Sequence, residues 1–145
     1  MAHAEGSVII SCPANVIYDF LLDGENNTRW RPPVLDIQRV PGKTSGVGAV
    51  FKQGVKGPNG GRIDADYEIV KATPNELIKF QVIAGPARPT GSYTLEPTGS
   101  ATRVTFVLNF EPKGLARLMD GMISRTMQSE VALLSNLKTI LEQQG

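Results

Sequence analysis

A glutamate stands in the middle of an otherwise apolar stripe near the end of this chain. Read at helical spacing, the stripe runs Leu115, Met119, Met122, Ile123, Thr126, Met127, Glu130, Leu133, Leu134, Leu137, Ile140 and Leu141. A carboxylate facing a dry interior is costly unless it is paired or solvated. The plainer reading is that Glu130 pairs with an arginine from the sheet or tilts to the helix edge. The sharper one is that the helix covers a space that takes a ligand. Glu130 is then a hydrogen-bond or proton acceptor, and the only catalytic candidate. Thr126, one turn earlier, and the tyrosines Tyr67 and Tyr93 supply hydroxyls that can join it.

Little else in the chain offers chemistry. The single histidine, His3, falls among the first residues, where chain ends fray. No Ser-His or Cys-His arrangement can be built. The single cysteine, Cys12, reads as a small buried residue rather than a nucleophile, and no internal disulfide or thiolate cluster is possible. Asp64, Asp66 and Glu68 alternate on one side of a strand and read as a solvated sheet face rather than a metal site. The glycine-rich stretch 57–61 lacks the Gly-Lys-Ser/Thr ending of a phosphate-binding loop. No metal and no cofactor is expected.

The elements that must position these groups follow in order. Ser7 to Ser11 reads as a strand ended by Pro13. From Ala14 a short helix puts Val16, Ile17, Phe20 and Leu21 on one face, with Gly24 as its C-cap. A second helical turn through Trp30 is stopped by Pro32 and Pro33. The period then becomes alternating: strands at Val34 to Val40, Gly48 to Val55, Arg62 to Lys71, Leu77 to Ala84, Thr90 to Glu96 and Ala101 to Phe110. Ala49, Phe51, Gln53 and Val55 share one face of their strand. So do Ile63, Ala65, Tyr67 and Ile69, then Ile78, Phe80 and Val82, then Tyr93 and Leu95, then Thr102 to Phe110 at every second residue. The closing helix, Leu115 to Gln143, would be roughly 40 Å long and cross the whole sheet. Consecutive strands with short turns make an antiparallel meander, and the class is α+β in two layers.

Length and composition set outer limits. At 145 residues, with 41% hydrophobic and 20% charged residues, the chain reads as one domain, 1–145, of an ordinary globular protein. A net charge of +1 without basic runs gives no footprint for nucleic acid. No apolar run reaches the ~18 residues of a membrane span. The N-terminus lacks the pattern of a signal peptide, so a cytoplasmic location is the expectation.

The chain resembles a known family. Cys12-Pro-Ala-Asn-Val-Ile-Tyr-Asp-Phe-Leu21, the Trp30-x-Pro turn, and Gly46-Val47-Gly48 opening a strand are similar to the START-like superfamily. So are Gly91-Ser-Tyr-Thr-Leu-Glu-Pro97, Ala101-Thr-Arg-Val-Thr-Phe106 and the ending Leu137-Lys-x-x-Leu141-Glu142. The likeness is nearest to the bacterial polyketide cyclase/dehydrase and lipid-transport group. It implies a helix-grip fold: a curved antiparallel sheet of about seven strands, in the order β-α-α-β6-α, wrapped around a long C-terminal helix with an internal apolar cavity. It also implies binding of a small hydrophobic molecule such as a lipid, sterol or polyketide. The lining expected for that ligand is Trp30, Phe51, Tyr67, Phe80, Tyr93, Phe106, Met119, Ile123, Thr126, Met127 and Glu130. The alternatives are a cyclase or aromatase, in which this lining folds a polyketide and Glu130 moves a proton, and a protein-interaction module. In the module, Trp30, between Arg29 and Arg31, is an exposed anchor. The competing placement for Trp30 is over the cavity mouth.

Overall fold

The computed structural model describes residues 2–42, 46–57, 59–85, 87–111 and 120–144. The first strand is β1, Ala2–Ile10; two short helices follow, α1, Ala14–Leu22, and α2, Asn27–Trp30, with a 3-10 turn at Gly24–Asn26 between them. Seven strands come next: β2 (Val34–Arg39), β3 (Val50–Lys56), β4 (Arg62–Asp64), β5 (Tyr67–Thr73), β6 (Leu77–Val82), β7 (Thr90–Thr98) and β8 (Ala101–Phe110). The chain closes with α3, Asp120–Val131, and α4, Leu134–Gln144. Every strand pairing is antiparallel, in the order β1-β8-β7-β6-β5-β3-β2, with β4 beside β3. This is the helix-grip architecture. Among the described residues no helix is long and apolar enough to cross a membrane.

The alternating patterns read from sequence have the correct faces. Phe51 and Gln53 on β3, Tyr67 and Ile69 on β5, Ile78, Phe80 and Val82 on β6, Tyr93 and Leu95 on β7, and Thr102, Val104, Phe106 and Leu108 on β8 are all buried. Asn75 turns the chain between β5 and β6 with φ of 64°, a left-handed conformation that Asn tolerates.

Four details depart from the sequence reading. The span Arg62 to Lys71 is two strands, because the ladder is interrupted at Ala65 and Asp66 while the register on β3 stays the same on both sides. Gln53 makes the break: its backbone N–H donates to Asp66 Oδ1 (3.1 Å) and its side-chain amide to the Ala65 carbonyl (3.2 Å). The closing helix tightens at Ala132 and Leu133, where N–H groups reach three residues back, Leu133 to Glu130 (3.1 Å) and Asn136 to Leu133 (2.9 Å). Its Leu115 to Met119 portion lies outside the described residues. Strand β1 begins at Ala2 rather than Ser7, so His3 is inside a strand, its Nδ1 2.6 Å from Asn109 Oδ1. Gly24 is not a left-handed cap: a Cβ there would overlap the Tyr67 hydroxyl, so close packing requires the glycine.

The core lies between the concave face of the sheet and the helices. Helices α3 and α4 pass along β1, and α1 lies against β6 and β7. Leu134, Leu137 and Leu141 from α4 are buried with Ile10, Ile17 and Val104. Val131, which the sequence reading left off the stripe, is 1% exposed. It sits against β1, where a Cβ on Gly6 would lie 3.3 Å from the Val131 carbonyl oxygen. The helix backbone thus approaches the strand closely, which is why β1 is built from Ala2, Ala4 and Gly6 on that side.

Candidate functional site

A cavity of about 420 Å³ lies between the sheet and α3. Its apolar wall comes from Ile69, Ile78, Phe80, Val82 and Leu108 on the sheet and from Met122, Ile123 and Met127 on α3. Among the described residues, helix α4 contributes nothing to the lining. Exposure rises along the cavity from buried Tyr67, Tyr93, Gln53 and Asn27 to exposed Lys56 and Asp64. The mouth is therefore at the β3–β4 and β6–β7 end.

The inner end is polar. Pro32 disfavours helical backbone in the residue before it, so α2 ends at Trp30 and Arg31 is extended, with φ of −116° and ψ of 91°. This sends the Arg31 side chain inward. Its Nε and Nη2 both donate to Glu130 Oε2, at 3.2 and 2.8 Å. The two side chains are 11% and 17% exposed. Burial alone would lower the Arg31 pKa; the charge and hydrogen bonds of Glu130 outweigh it, and the net shift is upward. Beside this pair, buried Asn27 donates to Gln53 Oε1 and to the Tyr67 hydroxyl, each at 3.1 Å. Burial raises the pKa of Tyr67, and pushes that of Tyr93 up to about 12. Both remain neutral hydroxyls at ordinary pH.

Seven of the residues expected from sequence line this cavity: Tyr67, Phe80, Tyr93, Ile123, Thr126, Met127 and Glu130. The Thr126 hydroxyl is folded back on the Met122 carbonyl (3.1 Å). Phe51, Phe106 and Trp30 stand one layer behind. Phe51 stacks on Tyr67 with centroids 5.2 Å apart, and Phe106 on Tyr93 at 4.5 Å. Trp30 meets Tyr93 and Phe106 edge-on, 6.3 Å from each, and is 1% exposed. It is neither an exposed anchor nor a side chain over the mouth. Its carbonyl accepts from Asn136 Nδ2 (3.1 Å), which ties α2 to α4. Met119 lies outside the described residues.

The partner of Glu130 also differs from expectation, for it comes from the turn after α2 and not from the sheet. Arg31, Asn27 and Gln53 are the site residues that the sequence reading left out. Gln53 carried a signal, as an amide on the otherwise apolar side of β3. Asn27 carried none. Among the described residues no group of three or more His, Cys, Asp or Glu side chains is placed to hold a metal.

Comparison with known proteins agrees with this architecture. TTHA0849 from Thermus thermophilus is similar with a TM-score of 0.80 and 20% identity, over 94% of each chain. A START superfamily protein from Mycobacterium smegmatis gives 0.78 at 15% identity, over 100% of both chains. The di-domain ARO/CYC BexL from the BE-7585A biosynthetic pathway gives 0.71 at 21% identity, over 100% of this chain and 48% of that one. At these identities the likeness is one of fold. A comparison with curated proteins found no match. The family model for polyketide cyclase / dehydrase and lipid transport matches residues 1–142, and the chain belongs to that family.

Proposed function

We propose that this protein binds a small, largely apolar molecule in the cavity between α3 and the sheet. The observation that carries the reading is the cavity itself: an apolar wall, a volume within the range of small-molecule pockets, and a few convergent polar groups at one end. Two methionines on α3, Met122 and Met127, make part of that wall adaptable. Cyclase chemistry is the weaker reading, because it asks Glu130, already ion-paired with Arg31, to serve as the catalytic base as well, whereas binding asks nothing beyond the groups in place.

An uncharged apolar dye such as N-phenyl-1-naphthylamine tests the reading. Saturable binding that raises the melting temperature supports it. A variant with the cavity filled, Ile123→Trp, should fold and lose that binding. Equal binding by wild type and the filled variant would place the dye elsewhere and remove the support.

A further inference from the structure

The polar end of the cavity has unmatched groups, and their chemistry specifies what should sit there. Tyr93 is 5% exposed and lines the cavity, yet among the described residues its hydroxyl has no hydrogen-bond partner. Burial keeps it a donor. Both donors of Arg31 that are engaged go to one oxygen of Glu130, Oε2. Oε1 of Glu130 and Nη1 of Arg31 carry no bond among the described residues. Among the described residues, the inner end therefore offers donors, one carboxylate acceptor and no net charge, since its one arginine faces its one glutamate.

We infer that the bound molecule is uncharged and ends in a hydroxyl, an alcohol or a phenol, seated on Tyr93 and the Arg31–Glu130 pair. This rests on the cavity being the binding site and narrows what enters it. A hydroxyl both donates and accepts, so it can give its proton to Oε1 of Glu130 while accepting from Tyr93. A ketone accepts but leaves Oε1 unmatched. A carboxylate adds a second negative charge where the guanidinium is already paired, and a buried charge without its own partner is strongly disfavoured. Fatty acids and other carboxylates are thus selected against by the same pair that selects for a hydroxyl.

Three probes with one apolar body separate these cases: naphthalene, 2-naphthol and 2-naphthoate, titrated by calorimetry at pH 7. Two added hydrogen bonds, each contributing modestly after desolvation, make 2-naphthol bind roughly tenfold more tightly than naphthalene. The naphthoate binds weakest. In Tyr93→Phe the ratio of naphthol to naphthalene affinity falls several-fold toward one. That change removes a hydroxyl with no protein partner, so the fold should tolerate it. In Glu130→Gln the guanidinium is left without its counter-charge, and the preference inverts: the naphthoate becomes the tightest of the three. A purely structural pair would not produce that inversion. If naphthalene binds and naphthol binds no better, or if the naphthoate wins in wild type, the inference is overturned while the cavity reading survives. If none of the three binds, both fall. Should Glu130→Gln fail to fold, the Tyr93→Phe ratio still decides the matter.

Discussion

Breaking the Arg31–Glu130 pair should cost more than any surface ion pair in this protein, and unequally on its two sides. Both side chains have lost more than four-fifths of their contact with water, at 11% and 17% exposed. Two N–H donors converge on one oxygen at 3.2 and 2.8 Å. Removing one partner of a fully buried pair costs about 3–5 kcal/mol, against ~0–1 kcal/mol at a surface. The adjoining cavity relieves part of the penalty, so each single variant should lose about 2–4 kcal/mol. In urea, with m of about 2 kcal/mol/M, the midpoint falls by roughly 1–2 M. Arg31→Met strands a carboxylate, whereas Glu130→Gln strands a guanidinium, which stays charged and has five N–H donors to satisfy, so Glu130→Gln should lose the more. The double variant should lose clearly less than the sum of the singles, by at least ~1.5 kcal/mol. Additive losses, or single losses under ~0.5 kcal/mol, would refute the idea that these charges depend on each other.

Other consequences are quick to measure. Leu134→Ala and Leu137→Ala, at 2% and 0% exposed, should each cost about 2–5 kcal/mol in denaturant titrations, and unchanged midpoints would contradict the packing of α4 on the core. Gly91 on β7 lies under the ring of its cross-strand neighbour Phe80, where a Cβ would overlap the ring. Gly91→Ala should therefore push Phe80 toward the cavity, cost about 1–3 kcal/mol and weaken apolar probes at least several-fold; unaltered probe affinity would show that Phe80 does not shape the site. Glu142 caps the Ser11 N–H (2.8 Å) and pairs with Lys138, and these contacts hold its carboxyl below the usual range. Its contribution is present above the ordinary carboxylate pKa and is lost as the pH falls through the lower folded value. Urea midpoints between pH 5 and pH 2.5 should fall less steeply for Glu142→Gln than for wild type, and parallel curves would count against the contact.

Much of the sheet was legible because an alternating strand has a period of two and each buried face repeats it without error. Phe51 and Gln53, Ile78 and Phe80, and Val104 and Phe106 needed no tertiary information to be placed inward. The break at Ala65 was hidden because the alternation runs on across it, from Ile63 to Tyr67, and so does the register on β3. What interrupts the ladder is Gln53 on β3, whose N–H turns to the Asp66 carboxylate and whose amide takes the Ala65 carbonyl. The tightening at Ala132 was hidden for a similar reason, since Leu133, Leu134 and Leu137 keep the helical spacing. The start of β1 was missed because Ala2 and Ala4 are too small to signal a buried face, and their smallness is a response to the helix backbone above them. At the site, Glu130 was legible as a charge on an apolar stripe. Arg31 was not, because its inward course follows from Pro32 and from a contact ninety-nine positions away along the chain. Trp30, Phe51 and Phe106 were placed in the lining because aromatic side chains on inward faces look alike in sequence, whichever layer they occupy.

The central claim, that the cavity receives the ligand, is tested most directly by methyl NMR during a titration with naphthalene. The account predicts saturable shifts at the methyls of Met122, Ile123 and Met127 on α3 and of Ile69 and Ile78 on the sheet, all of which line the cavity. Ile10 and Ile17, which are fully buried but do not line it, should stay in place. Shifts confined to exposed Ile9 and Ile83, with the cavity methyls silent at saturation, would contradict it.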